Sequence, residues 1–185
     1  MPITSKLRVA VIAEFADKLS GKLGRTAIMK LMFFLQELKG LPLGYSFRIY
    51  TYGPYDAQVL SDLKIGESMG AVRTEYFDWE GGSGYMIKAG NKPKLSDEDQ
   101  RLFSSFHDEI DWVAKEFGEL SATDLEVEST VFFVAKSAER EKQRLSSETI
   151  ARAVRAIKPH HSEGRILKHI ERLQQRGLII LPQAA

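Results

Sequence analysis

The stretch AIMKLMFFLQELKG, residues 27–40, constrains the fold most. Its spacing predicts a helix beginning near Thr26. Ile28, Leu31, Met32, Phe34, Leu35 and Leu38 fall on several sides of that helix. A helix apolar around most of its circumference must be covered by other elements, so this one belongs at the centre of a fold. Gly40 and Pro42 close it. Other segments carry one apolar face each. Leu7, Val11, Phe15 and Leu19 recur at four-residue spacing in residues 5–19. An acidic helix over 97–117 carries Leu102, Phe106, Ile110, Val113 and Phe117, with Ser96 as its N-cap. A helix opening at 121–124 carries an apolar face of Leu125, Val131, Phe132 and Val134. Another starts at Ser146 or Ser147 and runs through Ile150, Val154 and Ile157. The last begins after Ser162 and carries Ile166, Ile170 and Leu173.

Strands are few. Tyr45 to Tyr52 reads as a short aromatic strand ended by Gly53-Pro54, with Pro54 at the first position of the next helix, where its missing N–H costs nothing. That helix carries Ala57, Leu60, Leu63 and Met69. AVRTEYFDW, the turn EGGSG and YMIKAG predict a β-hairpin. LIIL, residues 178–181, predicts a terminal strand. In 25–77 and again in 147–181 the order is helix, turn, helix, glycine, strand, the order of a winged helix; the glycines, Gly70 and Gly177, let the chain reverse in a left-handed conformation. The expected fold is α+β and mainly α: a compact helical domain with a β-hairpin and winged-helix-like elements. Residues 1–185 read as a single domain, or as two lobes sharing a core at about 1–95 and 96–185.

The chain has 185 residues, a net charge of +1 and no cysteine. Disulfides, a thiol nucleophile and thiolate metal sites are therefore excluded. The first residues lack a signal-peptide pattern, and no run approaches the roughly 20 apolar residues of a membrane helix. The expectation is a soluble, cytoplasmic protein. The small net charge covers a basic segment over 1–50, an acidic one over 97–128 and a basic one over 139–176. Such blocks either steer a charged partner or complement one another inside the molecule.

Two kinds of binding surface follow. Tyr45, Tyr52 and Tyr55 crowd the Gly53-Pro54 corner, and tyrosine brings rigid area and a hydroxyl to a protein interface. For Tyr52 a packing role outweighs direct binding, whereas Tyr45 and Tyr55 are expected to be more exposed. Asp108 and Asp111 mark the acidic helix as a second candidate surface. The alternative is DNA: Arg165, Lys168, Arg172 and Arg176 lie on the second helix of the later winged-helix pattern, where phosphate contacts are made. Catalysis finds little support. His160 and His161 are adjacent and point apart, and His169 is not at metal-ligand spacing from either. His107 and Asp111 read as a surface ion pair, and Ser83 has no base beside it. Asp56, Asp62 and Lys64 need further partners to form a nuclease-like cluster. The expected site therefore has no catalytic residue, no metal and no cofactor.

KLMFFLQ (Lys30–Gln36) followed by YTYGPYDAQV (Tyr50–Val59) resembles the motifs of the Panacea domain, a group similar to the phage-associated SocA and GepA proteins. DLEVESTVFFVAK (Asp124–Lys136) and the run from Arg155 to Ile179 are similar to the second half of YwgA-like proteins. The resemblance covers most of the chain in order and departs in the glycine-rich hairpin and the long acidic helix. It implies an α-rich, non-catalytic, antitoxin-like module whose partner is a toxin-like protein.

Overall fold

The apolar segment forms α2 (Arg25–Glu37), in which every residue from Ala27 to Leu35 is buried. The computed structural model describes residues 3–79 and 82–182. Among them are eight helices and two antiparallel two-stranded sheets, an α+β arrangement that is mainly helical. The chain divides into two units, Met1–Phe47 with Asp56–Ala122, and Arg48–Tyr55 with Thr123–Ala185. The division therefore falls later than residue 95, because the acidic helical segment packs with the first helices.

In the first unit, α1 (Ser5–Lys18) starts where the Thr4 side chain accepts from the Leu7 amide. Its expected amphipathic face is exceeded: Val9 through Ala16 are all buried. The reason is that α1 packs against α3 (Ala57–Ser68), α4 (Asp97–Ser105), α5 (His107–Phe117) and the hairpin as well as α2. Phe34 of α2 stacks on Phe117 of α5 with ring centroids 3.9 Å apart. Asp56, not Pro54, starts α3: its carboxylate accepts from the Gln58 and Ser46 amides. Arg8 of α1 and Asp62 of α3 form a buried ion pair at 2.7 Å.

Gly70, at φ +69°, turns the chain from α3 into β3 (Val72–Trp79). β3 pairs with β4 (Gly82–Ala89) from Val72↔Ala89 to Trp79↔Gly82. The expected turn tip at Glu80 and Gly81 lies outside the described residues. The base of β4 is tied to the loop before α2, where the Ile87 amide donates to the Leu23 carbonyl. The acidic segment is two helices rather than one. Phe106 breaks it, buried at φ −92° and ψ −4°, and the hydroxyls of Ser104 and Ser105 bond back to the carbonyls of the preceding turn. Such back-bonding bends helices.

The second unit holds β1 (Arg48–Tyr50), β2 (Gly53–Tyr55), α6 (Ala122–Arg140) beyond its first residue, α7 (Ser147–Ile157) and α8 (Glu163–Gln175). Ser146 and Ser162 cap α7 and α8 by accepting from the amides of Thr149 and Arg165. Pro54 lies in a strand, not a helix: Gly53 takes φ +86° and folds the chain back, so Ile49 pairs with Pro54. A two-stranded sheet consists of edges only, where proline is tolerated. Gly177 takes φ +68° after α8, yet residues 178–182 form no strand. The later winged-helix pattern thus has its helices and no described wing. The earlier one has the expected hairpin after Gly70, but its two helices are separated by β1 and β2, a second strand having formed where the helix was expected to begin at Pro54.

Candidate functional site

The tyrosines of the 45–55 segment do not form one surface. Tyr45 belongs to the first unit and is buried, which corrects its expected exposure. The Gln36 side chain bonds both the amide and the carbonyl of Tyr45. The Tyr45 hydroxyl donates to Asp62 at 3.0 Å. Burial, with the Asp62 carboxylate beside it, pushes the Tyr45 phenol far above its ordinary range. Tyr45 is therefore part of the buried Arg8–Asp62 cluster.

The β1–β2 hairpin displays the others. The expected order is reversed: Tyr52 is 67% exposed and Tyr50 61%, while Tyr55 is half-buried because its ring meets that of Tyr50 at 5.4 Å. This hairpin is locked from beneath. Gly53 packs so closely on α6 that a Cβ there would lie 2.6 Å from Thr130 Oγ1. Thr130 and Ser129 in turn donate to the Glu126 carbonyl. The Lys158 ammonium, completely buried, donates to the Thr51 carbonyl at 2.7 Å and to the Glu126 carboxylate at 3.2 Å. It also lies 5.6 Å from the centre of the Tyr52 ring. Burial pushes the Lys158 ammonium below the ordinary lysine range, and the Glu126 charge opposes that shift. Lys158 is the residue that sequence reasoning missed. A lysine just past a helix end ordinarily reads as a partner for the helix dipole, and nothing local marks it as buried.

Beside this lock stand two histidines. The rings of His160 and His161, expected to point apart, lie 4.3 Å from each other, and His161 is buried with no hydrogen bond to its Nε2. Burial first, then the neighbouring His160, Arg165 and Lys158, lowers the His161 imidazole below its ordinary value.

The basic face of α8 meets carboxylates of α6. Arg165 donates to Asp124 at 2.8 Å, and Arg172 pairs with the fully buried Glu128. His169 lies between, with Nδ1 2.9 Å from Glu128 and Nε2 3.2 Å from Asp124. Asp124 and Glu128 are four residues apart, as are Arg165 and His169, so each pair shares a helical face. In this unit the acidic and basic blocks complement each other internally. Lys168 and Arg176 are exposed. In the first unit Asp108 and Asp111 are exposed on α5. Asp111 bridges Lys18, and His107 is 3.5 Å away. The hydrogen bond from Lys18 holds the Asp111 carboxyl below its usual range. Ser83 lies in β4, and Asp62 is taken by Arg8 and Tyr45.

Among the described residues no three carboxylates or imidazoles converge where a metal ion could sit, and no helix is long and apolar enough to cross a membrane. The arrangement offers a tyrosine display over a buried ammonium. Compared with known proteins, the chain matches no family model and no curated protein.

Proposed function

We propose that this chain is a non-catalytic protein-binding module of the cytoplasm, an antitoxin-like or phage-associated regulator that recognises a toxin-like partner protein. The observation that carries the reading is the β1–β2 hairpin, which holds Tyr50 and Tyr52 more than half exposed on a backbone pinned by Lys158 and Gly53. Exposed tyrosine on a pre-ordered backbone loses little conformational entropy on binding, which favours protein contact. The YTYGPY stretch that builds the hairpin is also the stretch that resembles the Panacea motif. The pairing of Arg165 and Arg172 with Asp124 and Glu128 leaves the DNA reading weaker, since two of its four cations already face carboxylates.

Co-expression with the product of a neighbouring reading frame tests the proposal. The partner is expected to co-purify with the full chain, and Tyr50→Ala with Tyr52→Ala to weaken binding by about tenfold or more. Retention unaffected by both changes, or no neighbour retained, would count against it.

A further inference from the structure

The β3–β4 hairpin presents an unused strand edge. The Ile87 amide points outward from β4 to Leu23. Successive residues of a strand direct their backbone groups to opposite sides. The β4 residues that face β3 are therefore Met86 and Lys88, paired with Glu75 and Arg73. By the same alternation, Thr74, Tyr76 and Asp78 point their amides and carbonyls away from β4. Among the described residues none bonds to those backbone groups. Among the described residues β3 has no second strand neighbour, and beyond its buried base at Val72 its free edge is exposed at Tyr76 and Asp78.

Two further features point to what would cover it. Arg25 lies 3.8 Å over the Tyr85 ring, and Tyr85 meets Tyr76 edge-on at 5.4 Å. This row across the sheet stops at the free edge with Tyr76 56% exposed. On the same face the Thr74 hydroxyl is buried without a hydrogen-bond partner, although such groups are normally satisfied.

We propose that the free edge of β3 pairs antiparallel with β3 of a second copy of this chain, about a two-fold axis through Tyr76. The charges select this register. A two-fold at Arg73, Glu75 or Asp78 sets that residue against its own copy, and like charges directly opposite are unfavourable. A two-fold at Thr74 brings an incoming strand onto Val72, which packs against α3. A two-fold at Phe77 shortens the overlap toward the hairpin tip. The register centred on Tyr76 runs from Arg73 to Trp79 in each copy. It sets Tyr76 against the partner's Tyr76, continuing the aromatic row through four strands. It also sets Thr74 against the partner's Asp78, whose carboxylate can accept from the Thr74 hydroxyl once a χ1 rotation brings that buried group to the edge, twice by symmetry. The contact is small and the dimer correspondingly weak. It uses a different hairpin from the proposed partner surface and is independent of that reading.

Sedimentation equilibrium of the full chain, from low micromolar to several hundred micromolar, tests it. A monomer–dimer equilibrium is expected. Tyr76→Lys should weaken it by about tenfold or more by placing like charges at the axis, while Tyr76→Phe keeps it. Asp78→Pro removes an outward amide at an edge position that tolerates proline and should also give monomer. The chain has no cysteine, so single cysteines report the register. Tyr76→Cys should oxidise to a linked dimer, its Cα atoms being about 5.5 Å apart across the axis. Asp78→Cys should not, being separated from its own copy by roughly 14 Å. A chain monomeric at every concentration overturns the proposal. So does a dimer indifferent to Tyr76→Lys and Asp78→Pro, a dimer linked by Asp78→Cys but not Tyr76→Cys, or an edge occupied by another protein's strand while this chain stays monomeric.

Discussion

Single residues set the tension in the second unit. Gly53 combines φ +86° with van der Waals contact against Thr130. Gly53→Ala should therefore cost about 2 kcal/mol or more, from left-handed strain plus overlap, measured by urea unfolding. His161 makes stability depend on pH with a definite sign. Its folded pKa lies below the ordinary 6.5, so between the two values the unfolded chain binds the extra proton. Stability is then full above about pH 6.5 and falls as the pH drops below it. His161→Phe should flatten that limb of the stability profile, and an unchanged limb would remove His161 as its source. Neither property was legible locally. Gly53 stood out as a turn residue, but its contact with Thr130 joins positions far apart in the chain. A histidine in a KPHH turn carries no mark of burial.

At the scale of elements, the caps were the most legible part. Ser96, Ser146 and Ser162 each accept from the amide three residues on, because a cap depends only on local chain geometry. Asp56 escaped notice because the Gly-Pro before it is a strong helix-start signal. Asp56→Ala should cost about 1 kcal/mol, chiefly through α3, measured by chemical denaturation. The β1–β2 hairpin is a stricter test. Lys158→Met removes the donor to Thr51 and leaves the Glu126 carboxylate without its ammonium. The cost should be about 3 kcal/mol, with amide exchange accelerating first in residues 48–55. Equal acceleration throughout the second unit would mean that Lys158 supports the unit and not the hairpin. The sequence read this region as strand then helix because a two-residue return at Thr51-Tyr52 has no periodicity of its own.

For the molecule as a whole, charge placement separates the two functional readings. A net charge of +1, with Arg165 and Arg172 facing carboxylates of α6, leaves α8 without a concentrated positive face for phosphates. Duplex DNA of mixed sequence should bind weakly at physiological salt, whereas strong binding with a steep salt dependence would restore the DNA reading. The mainly helical α+β class, the buried α2, the hairpin after Gly70 and three of the helix caps follow from the sequence by itself, because periodicity, glycine and capping chemistry act within a few residues of chain. The tertiary structure alone decided that Tyr45 is buried while Tyr50 and Tyr52 are displayed, that Lys158 holds their hairpin, and that α6 and α8 neutralise each other. Each of these depends on groups distant in sequence meeting in a low-dielectric interior, where burial and pairing are set by the neighbours that arrive and not by the residues that precede.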